Sequence, residues 1–425
     1  MVRDKPILFE EYPKLAEKIP WIAIANYPTP VQKMEQLEKE LGCKNLWIKR
    51  DDKSTEFYGG NKIRKFEFIY GDILKKGKNI VATAGGVGTN HGLAAAMVGK
   101  KLGLKTRLYL FPQPLTWHVQ RSLLLYDYFG ADIITVKTYL GLAVKALVLF
   151  LFKRKYYMMM PGGSPLFGIG SSLGTIGFVN ASFELKRQID AGELPEPDYL
   201  FVACGSTGSA GGLIAGSKLA GLKTRVQPVE VGAHFLNNAK NIARTSNKAI
   251  KFMRKYDKSV PDIVIEETDF DLHLGYLGSE YGVKTKRGQA AVDKVTDLEG
   301  KKNDFKIETT YTGKTMAAMI DTIEIPENKD KVFLFWNTYN SISLNDHLKK
   351  TNFDFAKLPE NVQKYYDASF QCWQINKCAE KDRKNCPAYM CEEYRCWKVK
   401  QCTEKDRENC LAYNQLKDII QLEDA

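Results

Sequence analysis

Residues 79–136 read NIVATAGGVGTNHGLAAAMVGKKLGLKTRLYLFPQPLTWHVQRSLLLYDYFGADIITV, and their rhythm decides the fold class. Short apolar runs (NIVATAGG, TRLYLF, DIITV) alternate with longer helical stretches, the first of them NHGLAAAMVGKKLG. Strand-length runs separated by helix-length segments are the pattern of a parallel sheet with crossover helices. The same rhythm returns at residues 198–220 and 225–231, where YLFVAC runs into a glycine-rich turn, a helix and another apolar strand. Between the two units lies a Gly- and Pro-rich connector, MMMPGGSPLFGIGSSLG, whose glycines suit chain crossing rather than core. After about residue 350 the alternation ends. The expected architecture is α/β, with two open, twisted, mainly parallel-sheet domains and a small Cys-rich C-terminal module.

The composition narrows the function classes. With 425 residues and 44% hydrophobic content, the chain can bury a large core divided over two or three domains. The net charge of +12 is spread among 50 acidic residues, with no dense basic block interleaved with aromatics, so no nucleic-acid partner is expected. The longest apolar run, residues 146–152, lies between Lys145 and Lys153 and falls far below the roughly 18 residues of a membrane span. It reads as core. The first residues, MVRDKPILFEEY, lack the basic, apolar and small-residue order of a secretory signal, which predicts a cytoplasmic protein without a membrane partner.

Three segments carry chemistry. In GGNKIRK (residues 59–65), following LWIKRDD, paired glycines permit a tight turn, and two lysines and an arginine within four residues place cations beside it. The bland alternative is a basic turn opening a solvated helix. In CGSTGSAGG (residues 204–212), between a strand-like and a helix-like run, backbone amides at a helix start form an anion site, with Thr207 and Ser209 adding hydroxyls. A dinucleotide is the other reading, because Glu230 ends the next strand where a ribose-binding acid would sit. The glycine spacing, G-x-x-G-x-x-G, departs from that fingerprint. In GGVGTNH (residues 85–91), at the carboxyl end of a strand, Thr89, Asn90 and His91 offer a hydroxyl, an amide and an imidazole at a helix start. Thr89 or Asn90 would equally serve as an N-cap.

Together with YPTPVQ, LWIKRDD, PGGS (residues 161–164), EYGV (residues 280–283) and YTGK (residues 311–314), these segments resemble the D-cysteine desulfhydrase and 1-aminocyclopropane-1-carboxylate (ACC) deaminase family of pyridoxal phosphate enzymes. The resemblance spans residues 6–344 and implies the tryptophan synthase beta-like fold, fold type II of the pyridoxal phosphate enzymes. It implies a large cofactor-binding domain from residues 1–63 and 177–358, a smaller α/β domain from residues 64–176, and a homodimer. Lys62 looks like the Schiff-base lysine and Lys65 like a phosphate ligand. Thr207, Gly208, Ser209, Ala210 and Gly211 would form the phosphate cup, with Asn90 beside the ring hydroxyl and Thr338 near the pyridine nitrogen. Thr89 stands where the family has a serine close to the substrate, and Tyr281 and Tyr311 match two active-site tyrosines. The implied reaction is elimination or deamination of a small amino acid, with D-cysteine preferred because Thr312 stands where ACC-opening members carry glutamate and because Thr338 is the residue near the pyridine nitrogen. ACC deamination, lysis or racemisation of another D-amino acid, and a weakly catalytic body serving the tail are the alternatives. NTYN around Thr338 also replaces the more usual HTGG.

The tail, residues 366–416, is a duplication: CWQINKCAEKDRKNCPAY from Cys372 recurs as CWKVKQCTEKDRENCLAY from Cys396. Cys372, Cys378 and Cys386 match Cys396, Cys402 and Cys410, and Cys391 is a seventh. Zinc or an iron-sulfur cluster is one candidate ligand, although no C-x-x-C knuckle occurs, and disulfides or packed thiols are the others.

Overall fold

The computed structural model describes residues 5–113, 117–136, 155–165, 170–279, 281–300 and 303–351, with Leu358 and Val362. The apolar run at 146–152 and the duplicated cysteine module lie outside the described residues. In chain order the strands are β1 (Val31–Lys33), β2 (Leu46–Lys49), β3 (Ile80–Gly86), β4 (Lys105–Phe111), β5 (Asp132–Thr135), β6 (Tyr156–Met158), β7 (Tyr199–Cys204), β8 (Arg225–Glu230) and β9 (Phe333–Trp336). One sheet runs β1-β2-β9-β7-β8 and the other β5-β4-β3-β6. In the first sheet β1 is antiparallel to β2, while β2 with β9, β9 with β7, and β7 with β8 are parallel. In the second, β3 with β6 and β4 with β5 are parallel. The α/β class with mainly parallel sheets is as expected from the alternation.

By packing, the chain divides into two compact units, Met1–Thr83 with Leu147–Ile342, and Ala84–Ala146 with Ser343–Ala425. The first unit holds the five-stranded sheet. Its central strands are continuous apolar runs, FLFW in β9 and LFVAC within β7, all buried, as strands covered on both faces require. Phe201, Phe333 and Phe335 from these strands pack with Met316, Met319 and Ile323 of the helix Thr312–Ile323.

Small residues bring three helices of this unit together. A Cβ on Gly212 or Gly216, one turn apart in the helix Gly208–Leu219, would lie 2.5 Å from the Phe178 Cβ or 2.6 Å from the Ser182 Oγ of the helix Leu173–Asp190. On that second helix, a Cβ on Gly177 would lie 2.2 Å from the carbonyl oxygen of Arg64, in the helix Asn61–Lys75. The connector reading needs correction at this point, because Gly163 and Gly174 are buried and pack backbone to backbone, a Cβ on Gly174 falling 1.8 Å from the Gly163 carbonyl oxygen. Among the described residues no helix is long and apolar enough to cross a membrane.

Candidate active site

The carboxyl ends of parallel strands are where open α/β sheets gather ligand groups, and the first sheet does so here. Neighbouring strands β2, β9 and β7 lead respectively into the turn before Lys62, into Asn337–Thr338, and into the glycine-rich turn before Gly208.

The turn before Lys62 depends on two glycines. A Cβ on Gly59 would fall 1.8 Å from the Asp52 carbonyl oxygen, and Gly60 adopts φ +94° with the Thr338 carbonyl 2.7 Å from where its Cβ would be. Three successive amides are held by three acceptors: Gly59 N–H by Asn340 Oδ1 (2.6 Å), Gly60 N–H by Asp51 O (2.7 Å) and Asn61 N–H by Thr338 O (3.1 Å). Thr338 therefore supports the start of the lysine helix through its backbone.

Lys62 is partly enclosed. Its Nζ donates to Asn61 Oδ1 (2.6 Å), and the Asn61 side-chain amide donates to Ser209 Oγ (3.2 Å), linking the lysine to the glycine-rich turn. Burial lowers the Lys62 amine from 10.5 to about 8. A substantial neutral fraction near physiological pH makes this amine a competent nucleophile and base.

Lys65, one turn on, is fully buried and donates to Gly162 O and Ser164 Oγ, both at 2.9 Å. Burial, then the charge of Lys62, holds its pKa well below the ordinary lysine value. Lys65 stands at the mouth of the glycine-rich turn, since a Cβ on Gly208 would lie 1.7 Å from Ser164 Oγ and 3.1 Å from Lys65 Nζ. Thr207 enters the helix with φ +58°, and its hydroxyl pairs with Thr245 Oγ1 at 2.8 Å. Gly208, Ser209, Ala210 and Gly211 form the first turn, in which Gly208 N–H is held by Ser206 O and Gly211 N–H by Thr207 O (both 2.7 Å), and the positive end of the helix dipole favours an anion.

Tyr311 caps the helix Thr312–Ile323, and its ring approaches Gly205, whose Cβ would lie 3.6 Å from Tyr311 Cε1. Its hydroxyl contacts that of the more exposed Tyr281. Burial, then Tyr281, pushes the Tyr311 phenol well above its usual value, so it stays protonated. Thr312 is buried and turned to Glu308, its Oγ1 accepting from Glu308 N–H (2.8 Å).

Arg64 corrects the reading of GGNKIRK as one cationic group. Helical spacing puts Lys62 and Lys65 on one face and turns Arg64 away from it. Arg64 binds Asp51 through Nε and Nη2 (2.8 and 2.6 Å) and Glu184 through Nη1 and Nη2 (3.0 and 2.9 Å), all fully buried. Lys49 Nζ joins at Glu184 Oε1 (2.6 Å), and Trp336 Nε1 donates to Asp51 Oδ2 (2.7 Å). Burial by itself would raise the Glu184 pKa, but Arg64 and Lys49 outweigh it and hold the carboxylate well below its usual range. Glu230, the candidate ribose acid, is also engaged internally, with His234 Nδ1 at 2.7 Å.

The second unit holds the GGVGTNH segment. Thr89 is the N-cap of the helix Asn90–Lys101, its Oγ1 accepting from Gly92 N–H (3.3 Å), so the capping reading is observed. Asn90 opens that helix. The loop is pinned further by His118 Nε2 on Gly88 O (2.9 Å) and by Tyr126 hydroxyl on Thr89 O (2.8 Å). Burial, then Arg121, lowers His118 to about 4, leaving it a neutral donor.

Among the described residues no group of three or more His, Cys, Asp or Glu side chains is arranged to hold a metal ion; Cys372, Cys378, Cys386, Cys391, Cys396, Cys402 and Cys410 lie outside those residues. Sequence reasoning gave no role to Asn61, Gly162, Ser164 or Asn340. Only PGGS, whose short side chains allow close approach to a lysine, carried a usable signal.

A family model described as pyridoxal-phosphate dependent enzyme matches residues 22–336. The chain belongs to this family. It is 31% identical over 318 residues to a Thermotoga maritima protein named for 1-aminocyclopropane-1-carboxylate deaminase, covering 73% of this chain and 93% of that one. It is 28% identical over 323 residues to a D-cysteine desulfhydrase of Klebsiella pneumoniae, covering 74% and 92%. The crystal structure of an ACC deaminase homologue superposes with TM-score 0.65 at 28% identity, covering 82% of this chain and 99% of that one. An L-serine ammonia-lyase from Rhizomucor miehei (TM-score 0.51, 20% identity, covering 78% and 98%) shares the fold.

The first unit's residues fit the cofactor of this pyridoxal-phosphate dependent enzyme. A primary amine lowered by burial suits the aldehyde, and a helix start made of glycines beside a buried lysine and Ser164 suits the phosphate.

Proposed function

We propose that this enzyme is a lyase that converts a small amino acid, D-cysteine by preference, with water to pyruvate, sulfide and ammonia. The observation that carries the proposal is Lys62: an amine brought to about 8 by burial alone, hydrogen-bonded to Asn61, which reaches the glycine-rich turn. Lys62 would carry the cofactor, and residues 207–211 with Lys65 would hold its phosphate. Bound pyridoxal phosphate supplies a sink for the electron pair left when the substrate loses its α proton.

The remaining steps belong to side chains. Lys62 Nζ, neutral near its pKa, takes the α proton. Thr338, 9% exposed, would donate a hydrogen bond to the neutral pyridine nitrogen but cannot hold a pyridinium as a carboxylate would. A hydroxyl rather than a carboxylate at this position would suit loss of the β substituent together with the α proton. Tyr311, kept protonated by burial and by Tyr281, would donate to the departing sulfur. By the family pattern, Asn90 would serve the ring hydroxyl and Thr89 the substrate.

Thr312 supports D-cysteine over ACC, because no carboxylate follows Tyr311 and the threonine is turned to Glu308. Product analysis with D-cysteine, L-cysteine and ACC side by side tests the substrate. Efficient ACC turnover would overturn the preference. Borohydride reduction with peptide mapping tests the reaction class, and a cofactor adduct away from Lys62, or none, would overturn it.

A further inference from the structure

We infer that Asn340 is a positioning residue for Lys62, and that its side-chain amide fixes the turn from which the lysine helix starts. This inference rests on the reading of Lys62 as the cofactor lysine. Of the three acceptors holding the amides of Gly59, Gly60 and Asn61, two are backbone carbonyls, Asp51 O and Thr338 O. The third is Asn340 Oδ1, at 2.6 Å from Gly59 N. Asn340 is thus the one point where a side-chain substitution deletes an acceptor from the turn.

The amide is itself held in place. Asn340 Oδ1 also accepts from Ile342 N–H (3.1 Å), and Nδ2 donates to Ile342 O (2.9 Å), so both ends of the amide are engaged. Gly59 and Gly60 are buried, and without Asn340 the Gly59 amide would lack an acceptor away from water. Gly60, whose φ of +94° is one of several conformations open to a glycine, is then less constrained. Displacement is passed on directly, because Asn61 follows Gly60 and its Oδ1 receives Lys62 Nζ at 2.6 Å. A small shift here admits water to an amine whose pKa is lowered by burial.

The test compares Asn340→Leu, which removes the acceptor at similar size, with Asn340→Asp, which keeps an Oδ acceptor for Gly59. Two readouts are taken on the full chain. In cofactor-free protein, the pH dependence of Lys62 acetylation by acetic anhydride, mapped by peptide, gives the amine's midpoint. In cofactor-loaded protein, kcat and KM are measured separately with D-cysteine. The wild-type midpoint is expected near 8. With Asn340→Leu it moves toward 10.5, and kcat falls by about tenfold or more with little change in KM. Asn340→Asp restores most of both. An unchanged midpoint in folded Asn340→Leu protein, or an Asn340→Asp variant equally impaired, overturns the inference. If Asn340→Leu prevents folding, Asn340→Ala is read by the same criteria. A wild type without a borohydride adduct at Lys62, but with a midpoint that Asn340→Leu still shifts, would overturn the proposed reaction and retain the positioning role.

Discussion

The helix Asn61–Lys75 carries cations in three surroundings. Lys62 and Lys65 face the glycine-rich turn with amides, hydroxyls and carbonyls but no bonded carboxylate, and burial lowers both amines. Arg64, between them in sequence, is equally buried, yet Asp51 and then Glu184 outweigh burial and raise its pKa well above the usual value. Just past the helix end, exposed Lys76 meets Asp72 at 2.7 Å. Burial alone makes a base, burial with carboxylates makes a permanent ion pair, and exposure leaves an ordinary surface contact. Lys49 marks the boundary between these cases: although bonded to Glu184, its pKa is lowered because burial outweighs that partner.

The largest expected effect is on Lys62. Lys62→Ala should abolish the borohydride adduct and cut turnover by about 10³-fold or more, while thermal unfolding of the cofactor-free protein shifts little. A large loss of stability instead would place Lys62 with Arg64 as structural. Next is Arg64→Met, which leaves Asp51 and Glu184 buried without their guanidinium. It should lower unfolding free energy by about 3–5 kcal/mol in denaturant titration, and a change below about 1 kcal/mol would refute a buried network.

pH separates the two faces further. Uptake of pyridoxal phosphate by the cofactor-free chain, followed by visible absorbance, should speed up as pH rises and level off above about 8, where the Lys62 amine is neutral. The folded pKa of Lys62 lies below its unfolded value, so between about 8 and 10.5 the unfolded chain binds more protons and this group's contribution to stability rises with pH. Glu184 acts in the opposite window. Its lowered pKa gives stability that is complete above the ordinary carboxylate value of 4.5 and is lost as pH falls below it. Acid unfolding should therefore shift in Glu184→Gln and not in Lys62→Ala. The smallest effect is expected for Lys76→Met, about 0.5 kcal/mol, because that lysine is half exposed.

Much of this molecule was legible in its amino-acid order. The alternation of NIVATAGG, TRLYLF and DIITV appears as β3, β4 and β5, and YLFVAC with its glycine turn appears as β7 and the helix Gly208–Leu219. These are local patterns, and hydrophobic periodicity with glycine is enough to write them. The glycine-rich turn and the GGNKIRK segment are local patterns of the same kind, whereas the parts given to Lys62 and Lys65 within it come from the family resemblance. Which cation pairs with which carboxylate was not marked, because Arg64 and Glu184 lie 120 residues apart and meet only when Gly177 lets two helices close on one another. Asn340 stands out in sequence only as part of NTYN, yet it accepts from Gly59 across 281 residues. The order of residues determined which groups were available and which segments became strand or helix. Tertiary packing decided whether each charge was desolvated or paired, because a group's protonation is set by its neighbours in space rather than its neighbours along the chain.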